Sequence, residues 1–197
     1  MPAVAFSKEA RGGTAAEFVA VACDMICSRI RTMATKSPTA AEFRLACGQF
    51  ATGVSVVTAE RAPGRVHGMT ANSVTSVSLN PLLLLVCVDH RAQLLPMVQA
   101  KGHFGVSVLK QEQQAISRYF AQTVEDVAME AKLGIHYRWT ESGVPLLDDA
   151  LVHIACKVID ARVAGDHTIF IGEVQTTEIF DGEPLVYFRG GYRKILL

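Results

Sequence analysis

The stretch GMTANSVTSVSLNPLLLLVCV, Gly68–Val88, decides how this chain folds. Its second half, Leu82–Val88, is uncharged and apolar and follows Asn80-Pro81. A short apolar run bounded by a turn signal reads as a buried strand. Its first half carries Thr70, Ser73, Thr75, Ser76 and Ser78. That is too many short polar side chains for a core and too little charge for an ordinary solvated loop. Such residues let a flat, polar-edged ligand approach the backbone, with N–H and O–H groups aimed at it.

Outward from this stretch the chain reads as strands. Thr52–Thr58 (TGVSVVT) is β-branched, Ala62-Pro63-Gly64 is a turn and Arg65–Ala71 returns, a hairpin in sequence form. On the other side, Leu94–Ala100 reads as a short helix, His103–Leu109 as a strand and Gln111–Phe120 as a helix. Ala121–Gly143 is a long, weakly patterned connection. Leu151–Val163 and Thr168–Ile179 are long strands joined through Ala164-Gly165-Asp166-His167, and Leu185–Phe188 closes the set. Upstream, Phe43, Ala46, Cys47 and Phe50 fall at helical spacing within Ala40–Phe50, where Thr39 can cap the start and Glu42 follows three residues on. Six or seven strands in hairpins with few short helices predict a mainly β, antiparallel barrel. No GxGxxG follows a strand, so a doubly wound dinucleotide fold is not expected.

Composition narrows the class. Lys plus Arg and Asp plus Glu number 19 each among 197 residues, so no basic excess points to nucleic acid. Half the residues are apolar, which argues for a packed core, and a near-neutral apolar chain suggests surface hidden in an oligomer. No apolar run approaches the ~18 residues of a membrane-spanning helix. Cys23, Cys27, Cys47, Cys87 and Cys156 are scattered, as expected in a reducing, cytoplasmic setting. Cys23 and Cys27 share a helix face, but no further ligand completes a metal site, so none is expected. Residues 1–38 differ in character, with Gly12-Gly13, many alanines and a helical stretch near Ala15–Arg31. They read as an N-terminal extension to a domain over 39–197; 1–32 is either a loosely packed or mis-started segment or a genuine extra helix.

Recognisable catalytic groupings are few. There is no GxSxG, HExxH or P-loop, and the six histidines are dispersed. His167 stands apart, because a hairpin tip beside Gly165 and Asp166 can project the imidazole into a cleft, where Asp166 can orient or charge it.

Five segments taken in order resemble one family: FRLACGQFATGVSVVTA (Phe43–Ala59), HGMTANSVTSVSLNPLLLLVCVD (His67–Asp89), HFGVSVL (His103–Leu109), AGDHTIFIGEV (Ala164–Val174) and LVYFRGGYR (Leu185–Arg193). They are similar to the flavin reductases, short-chain NAD(P)H:flavin oxidoreductases that supply reduced flavin to two-component monooxygenases. The MTANS…SVSLNP block and the GDH turn are the specific parts. The resemblance implies a homodimer of Greek-key split barrels, FMN or FAD bound near the dimer interface, NADH or NADPH as hydride donor and a separate oxygenase partner.

By motif, the resemblance places Met69, Thr70, Ala71, Asn72 and Ser73 along the isoalloxazine edge, and Ser76, Val77 and Ser78 along the ribityl chain. Asp166 and His167 match the GDH motif, with His167 positioning the nicotinamide or managing a proton on the reduced flavin. Tyr192 matches an aromatic near the ligand cleft. One departure stands out: where the family carries a serine-rich phosphate loop, this chain has His90-Arg91-Ala92-Gln93-Leu94. His90, Arg91 and Gln93 remain as phosphate contacts, and the choice between FMN and FAD stays open. The rival readings are a non-reductase flavin- or haem-binding protein on the same barrel, and a non-catalytic dimeric scaffold.

Overall fold

The computed structural model describes residues 36–122 and 126–195. The chain divides into a unit Met1–Ala40 and a unit Ala41–Leu197. The helical stretch at Ala15–Arg31, Cys23, Cys27 and nearly all of the expected extension over 1–38 lie outside the described residues.

Helix α1 (Ala40–Cys47) leads into β1 (Thr52–Gly53), β2 (Ser55–Ala62), β3 (Arg65–Ala71), β4 (Val74–Leu79) and β5 (Leu82–Asp89). Then come α2 (Leu94–Lys101), β6 (His103–Val108), a single 3-10 turn at Gln111–Gln113, α3 (Gln114–Phe120) and α4 (Val127–Lys132). The chain ends through β7 (Tyr137–Trp139), β8 (Pro145–Leu147), β9 (Val152–Ala164), β10 (His167–Ile179), β11 (Val186–Phe188) and β12 (Gly191–Arg193).

Seven strands form one antiparallel sheet in the order β3-β2-β6-β9-β10-β5-β4. Its two edge strands, β3 and β4, are consecutive in the chain and joined only by Asn72-Ser73. Seven strands laid flat would hold those edges about 29 Å apart. The link from Ala71 to Val74 reaches about 11 Å at most. The sheet therefore curls until its edges nearly meet, yet β3 and β4 do not pair, and the barrel is split there. A bulge at Ile159 of β9, opposite Ile171 and Gly172, and another at Gln175 of β10 add the local twist that such closure needs.

The interior holds Val57, Ala59, Leu84, Val86, Val88, Phe104, Val106, Cys156 and Phe170. Gly172 makes room for this packing: a Cβ there would lie 2.8 Å from the Phe104 ring. Helix α2 joins this core through Leu94 and Val98 and ends at Gly102, whose left-handed φ of 69° lets its N–H reach the Val98 carbonyl at 2.9 Å. Cys156 behaves as a core residue, its thiol pushed up to about 12 by burial. Strand β2 is buried on both faces, because Val56, with Val54 just before the strand, belongs to an outer cluster with Tyr119 and Phe120 of α3.

Several expectations are refined. Thr52–Thr58 is two strands, since β1 pairs with β11 in a separate sheet while β2 enters the barrel. The hydroxyl-rich segment after Ala71 is itself a strand, β4, paired with β5. The supposed irregular connection Ala121–Gly143 contains α4 and β7. Asp126 caps α4 by accepting hydrogen bonds from the N–H groups of Ala128 and Met129, at 2.9 and 3.1 Å. Strand β8 is stitched to the outer face of the barrel by buried side chains. Thr58 Oγ1 donates to the Pro145 carbonyl (2.6 Å), Ser107 Oγ accepts from Leu147 N–H (2.9 Å) and His153 Nε2 lies 2.7 Å from the Leu147 carbonyl.

Candidate active site

A cleft of about 480 Å³ opens beside the split. Its walls are His67–Thr70 of β3, Asp89 at the end of β5, Arg91–Gln93 between β5 and α2, and Phe120–Gln122 at the end of α3. Close approach sets one wall: a Cβ on Gly68 would lie 2.6 Å from two atoms of the Phe120 ring, so α3 can lie against β3 only where the strand has no side chain. Because β3 is a sheet edge, alternate N–H and C=O groups face away from the ladder, toward the open side.

Of the residues named from the sequence, Met69, Thr70, Arg91 and Gln93 line this cleft together. Ala71 ends β3 but is buried in the barrel interior. Asn72 is exposed on the link across the split. Ser73 is fastened to β5: its hydroxyl donates to the Cys87 carbonyl at 3.0 Å. Thr70 Oγ1 likewise donates to the Ser117 carbonyl of α3 at 2.7 Å. The hydroxyl protons of Thr70 and Ser73 thus serve protein carbonyls, and toward a ligand these oxygens act as acceptors.

Ser76, Val77 and Ser78 lie on β4, with Val77 as the extra residue of a bulge opposite β5. Ser78 Oγ accepts from Asn80 N–H at 3.1 Å and closes a local turn. None of these three borders the cleft. Tyr192 also stands apart from it. Its hydroxyl is 2.8 Å from Ser117 Oγ and its ring packs edge-on to Tyr187, in the outer cluster. Through Ser117 it braces the same turn of α3 that holds Thr70.

The GDH turn sits beside the cleft. Gly165, with φ of 64°, supplies the left-handed conformation that a two-residue hairpin loop requires. The register sets His167 opposite Asp89, and His90 N–H donates to the Asp166 carbonyl at 3.0 Å. His90 Nε2 lies 3.2 Å from Thr168 Oγ1, which binds His90 to β10. His167 Nδ1 and Asp166 Oδ1 are 2.7 Å apart. This bond is the first cause of an Asp166 carboxyl held below the usual carboxylate range. A carboxylate on Nδ1 fixes the ring and leaves Nε2 to face a substrate.

Sequence reasoning missed His67, Gly68, Asp89 and Phe120–Gln122 as wall residues. Asp89 offered the best signal, two residues before Arg91. Its Oδ1 accepts from the Arg91 backbone N–H (2.8 Å) and Nε–H (3.1 Å), and its Oδ2 from a terminal guanidinium N–H (2.7 Å). These bonds hold the Asp89 carboxyl far below the usual range. Among the described residues no group of three or more His, Cys, Asp or Glu could hold a metal ion, and no helix is long and apolar enough to cross a membrane.

Comparison with known proteins gives this geometry a context. Residues 47–196 match the family described as flavin reductase like domain. The chain is 40% identical over 156 residues to an NADH-dependent flavin reductase of Rhodococcus, covering 78% of this chain and 85% of that protein. It is 38% identical over 156 residues to the reductase component of 4-hydroxyphenylacetate 3-monooxygenase of Thermus thermophilus, covering 78% and 95%. The fold is similar, with a TM-score of 0.73 and 35% identity, to the NADH:FAD oxidoreductase of Streptomyces globisporus solved with NAD and FAD fragments, covering 84% of this chain and 98% of that one.

Proposed function

The chain belongs to the flavin reductase like domain family, and from that premise we propose that the cleft beside the split is where it brings NADH and a flavin together, releasing reduced flavin to a separate monooxygenase. The observation that carries this reading is the meeting of the β3 edge and the Asp89–Gln93 turn in one cleft, with the Asp166-His167 hairpin, which does not itself line it, paired to Asp89 alongside. The residues fit a flavin. An edge strand offers backbone donors and acceptors to a polar ring edge, Met69 and Phe120 offer apolar surface, and the one wall carboxylate, Asp89, is already paired with Arg91.

A bound flavin supplies the hydride acceptor, so the protein needs neither nucleophile nor metal. Its residues orient. The β3 edge and Thr70 set the plane of the ring. Asp166 fixes the His167 imidazole through Nδ1, leaving Nε2 to place the nicotinamide over it. Holding two rings at reacting distance is catalysis by pre-paid entropy, which accords with a sequence that carries no GxSxG, HExxH or P-loop.

We further propose a homodimer in a reducing, cytoplasmic compartment. Edge strand β4 and the turn after it expose Val77 (46%), Leu79 (85%) and Leu82 (49%), an apolar rim of the kind a second copy covers. Cys47, Cys87 and Cys156 are free thiols.

The test is NADH oxidation by the purified protein with FMN or FAD, followed as loss of reduced-nicotinamide absorbance. Flavin-dependent turnover is expected, and no turnover with either flavin refutes the reading. A tightly bound flavin without NADH oxidation points instead to a non-reductase flavoprotein.

A further inference from the structure

Among the described residues lining the cleft, Arg91 carries the only fixed positive charge, and Asp89 occupies it. Both oxygens of Asp89 are engaged, by the backbone N–H, Nε–H and a terminal N–H of Arg91. The Asp89 carbonyl also accepts from Ala92 N–H at 2.9 Å, so the turn that carries the pair is itself closed. The Asp89 side chain is 26% exposed and that of Arg91 89%, which puts the carboxylate on the wall and the guanidinium at the mouth. Asp166, across the hairpin pairing, adds a second negative charge that acts on Arg91. The mouth of the cleft therefore offers an anion a cation already spent.

We propose that Asp89 is a positioning residue that sets the choice of flavin. By holding the Arg91 guanidinium it withholds a full positive charge from the ligand's phosphate. FMN ends in a monoester that carries nearly two charges at neutral pH, whereas each phosphate of FAD is a diester with one. An unspent guanidinium rewards the monoester more, because a charge-assisted, bidentate hydrogen bond grows with the charge on the acceptor. A spent one removes that advantage, so FAD competes on its remaining contacts and either flavin leaves readily after reduction. This rests on the cleft being the flavin site.

The experiment compares the full-length protein with Asp89→Asn, which keeps the Oδ1 acceptor for the backbone and Nε N–H groups of Arg91 and loses the charge together with the Oδ2 acceptor of the terminal N–H. Affinities for FMN, FAD and riboflavin are read from quenching of flavin fluorescence at low and high salt. Asp89→Asn tightens FMN about fivefold and FAD about twofold, as suits a wet ion pair. It leaves riboflavin unchanged, and the FMN gain fades at high salt. Asp89→Glu, which retains the charge, keeps the wild-type order of flavins. In an Arg91→Ala background the FMN gain from Asp89→Asn is clearly smaller, because only the through-space repulsion of the phosphate is then relieved.

Equal shifts for all three flavins, or an FMN gain that is undiminished without Arg91, overturn the proposal. Wild-type protein that oxidises NADH with added flavin while Asp89→Asn leaves the flavin order unchanged overturns it alone. Wild-type protein that turns over neither flavin removes the cleft reading, and the proposal with it.

Discussion

Gly68→Ala tests the packing that shapes the cleft. The added Cβ would sit 2.6 Å from Cδ1 and Cε1 of Phe120 and 3.1 Å from Cγ1 of Val56. Carbon atoms pack at about 3.5–4.0 Å, so the ring must retreat by about 1 Å. Phe120 is 5% exposed and lies within the outer cluster, among Val54, Val56 and Tyr119, so that retreat is resisted. Overpacking of this kind costs about 1–3 kcal/mol, which for a chain of this size lowers Tm by about 3–10 °C. Function follows because Phe120, Ala121 and Gln122 are cleft walls. A displacement of about 1 Å at a positioning surface lowers kcat/KM for flavin by about tenfold or more.

Thermal unfolding by circular dichroism and steady-state kinetics measure the two effects. Gly172→Ala is the control. Its Cβ would meet Cys156 Cβ at 2.7 Å and the Phe104 ring at 2.8 Å inside the barrel, so it lowers Tm with a smaller change in flavin kinetics. Phe120→Leu makes room at the first site. The double variant Gly68→Ala/Phe120→Leu is more stable than the sum of the singles by more than about 0.5 kcal/mol. A Gly68→Ala protein with wild-type Tm and kinetics, or strict additivity in the double variant, refutes the reasoning.

Three further outcomes are expected. His167→Ala raises KM for NADH more than KM for flavin in initial-rate measurements; equal changes remove His167 from nicotinamide positioning. The Asp166 carboxyl is held below its ordinary value, chiefly by the hydrogen bond from His167. A depressed folded pKa means that its contribution is fully present above the ordinary carboxylate range, about pH 4, and is lost as pH falls through the folded value. The Tm difference between wild type and Asp166→Asn is therefore constant at neutral pH and shrinks on acidification below about pH 4. Thr58→Val strips the buried Pro145 carbonyl of its donor and destabilises by about 1–3 kcal/mol in urea unfolding, leaving KM for flavin unchanged because neither residue borders the cleft.

Local signals made much of this legible in the sequence. Arg65–Ala71 was bounded by Pro63-Gly64 on one side and by the hydroxyl-rich segment on the other, and the strand has those limits. The GDH hairpin needed only Gly165 at a left-handed position. The chain could not show which partner claims each polar group. Thr70 is a possible ligand donor by composition, but its proton goes to Ser117, 47 residues away. Tyr192 matched a cleft aromatic by motif, yet its hydroxyl is spent on the same helix from the outer cluster. Ser76–Ser78 share the hydroxyl-rich character of Thr70, but they lie on the other edge strand, β4, and none of them borders the cleft. Such assignments depend on register and on long-range contact, and neither is written in a local pattern.

The split explains why a site of this chemistry falls here. A closed barrel would pair β3 with β4 and satisfy both edges, leaving no backbone to recognise a ligand. A longer link than Asn72-Ser73 would let the edges drift apart and lose the cleft's floor. The short link holds the edges close without pairing them, so the edge N–H and C=O groups of β3 that point away from β2 stay fixed in position on the side of the cleft. Donors of that kind are already ordered by folding, so binding a flat ring costs little further entropy. They also carry no net charge, and Arg91, the one fixed cation among the described residues lining the cleft, is paired with Asp89. A ligand held by preorganised neutral groups is aligned well without being gripped tightly, which suits an enzyme whose product must leave to act elsewhere.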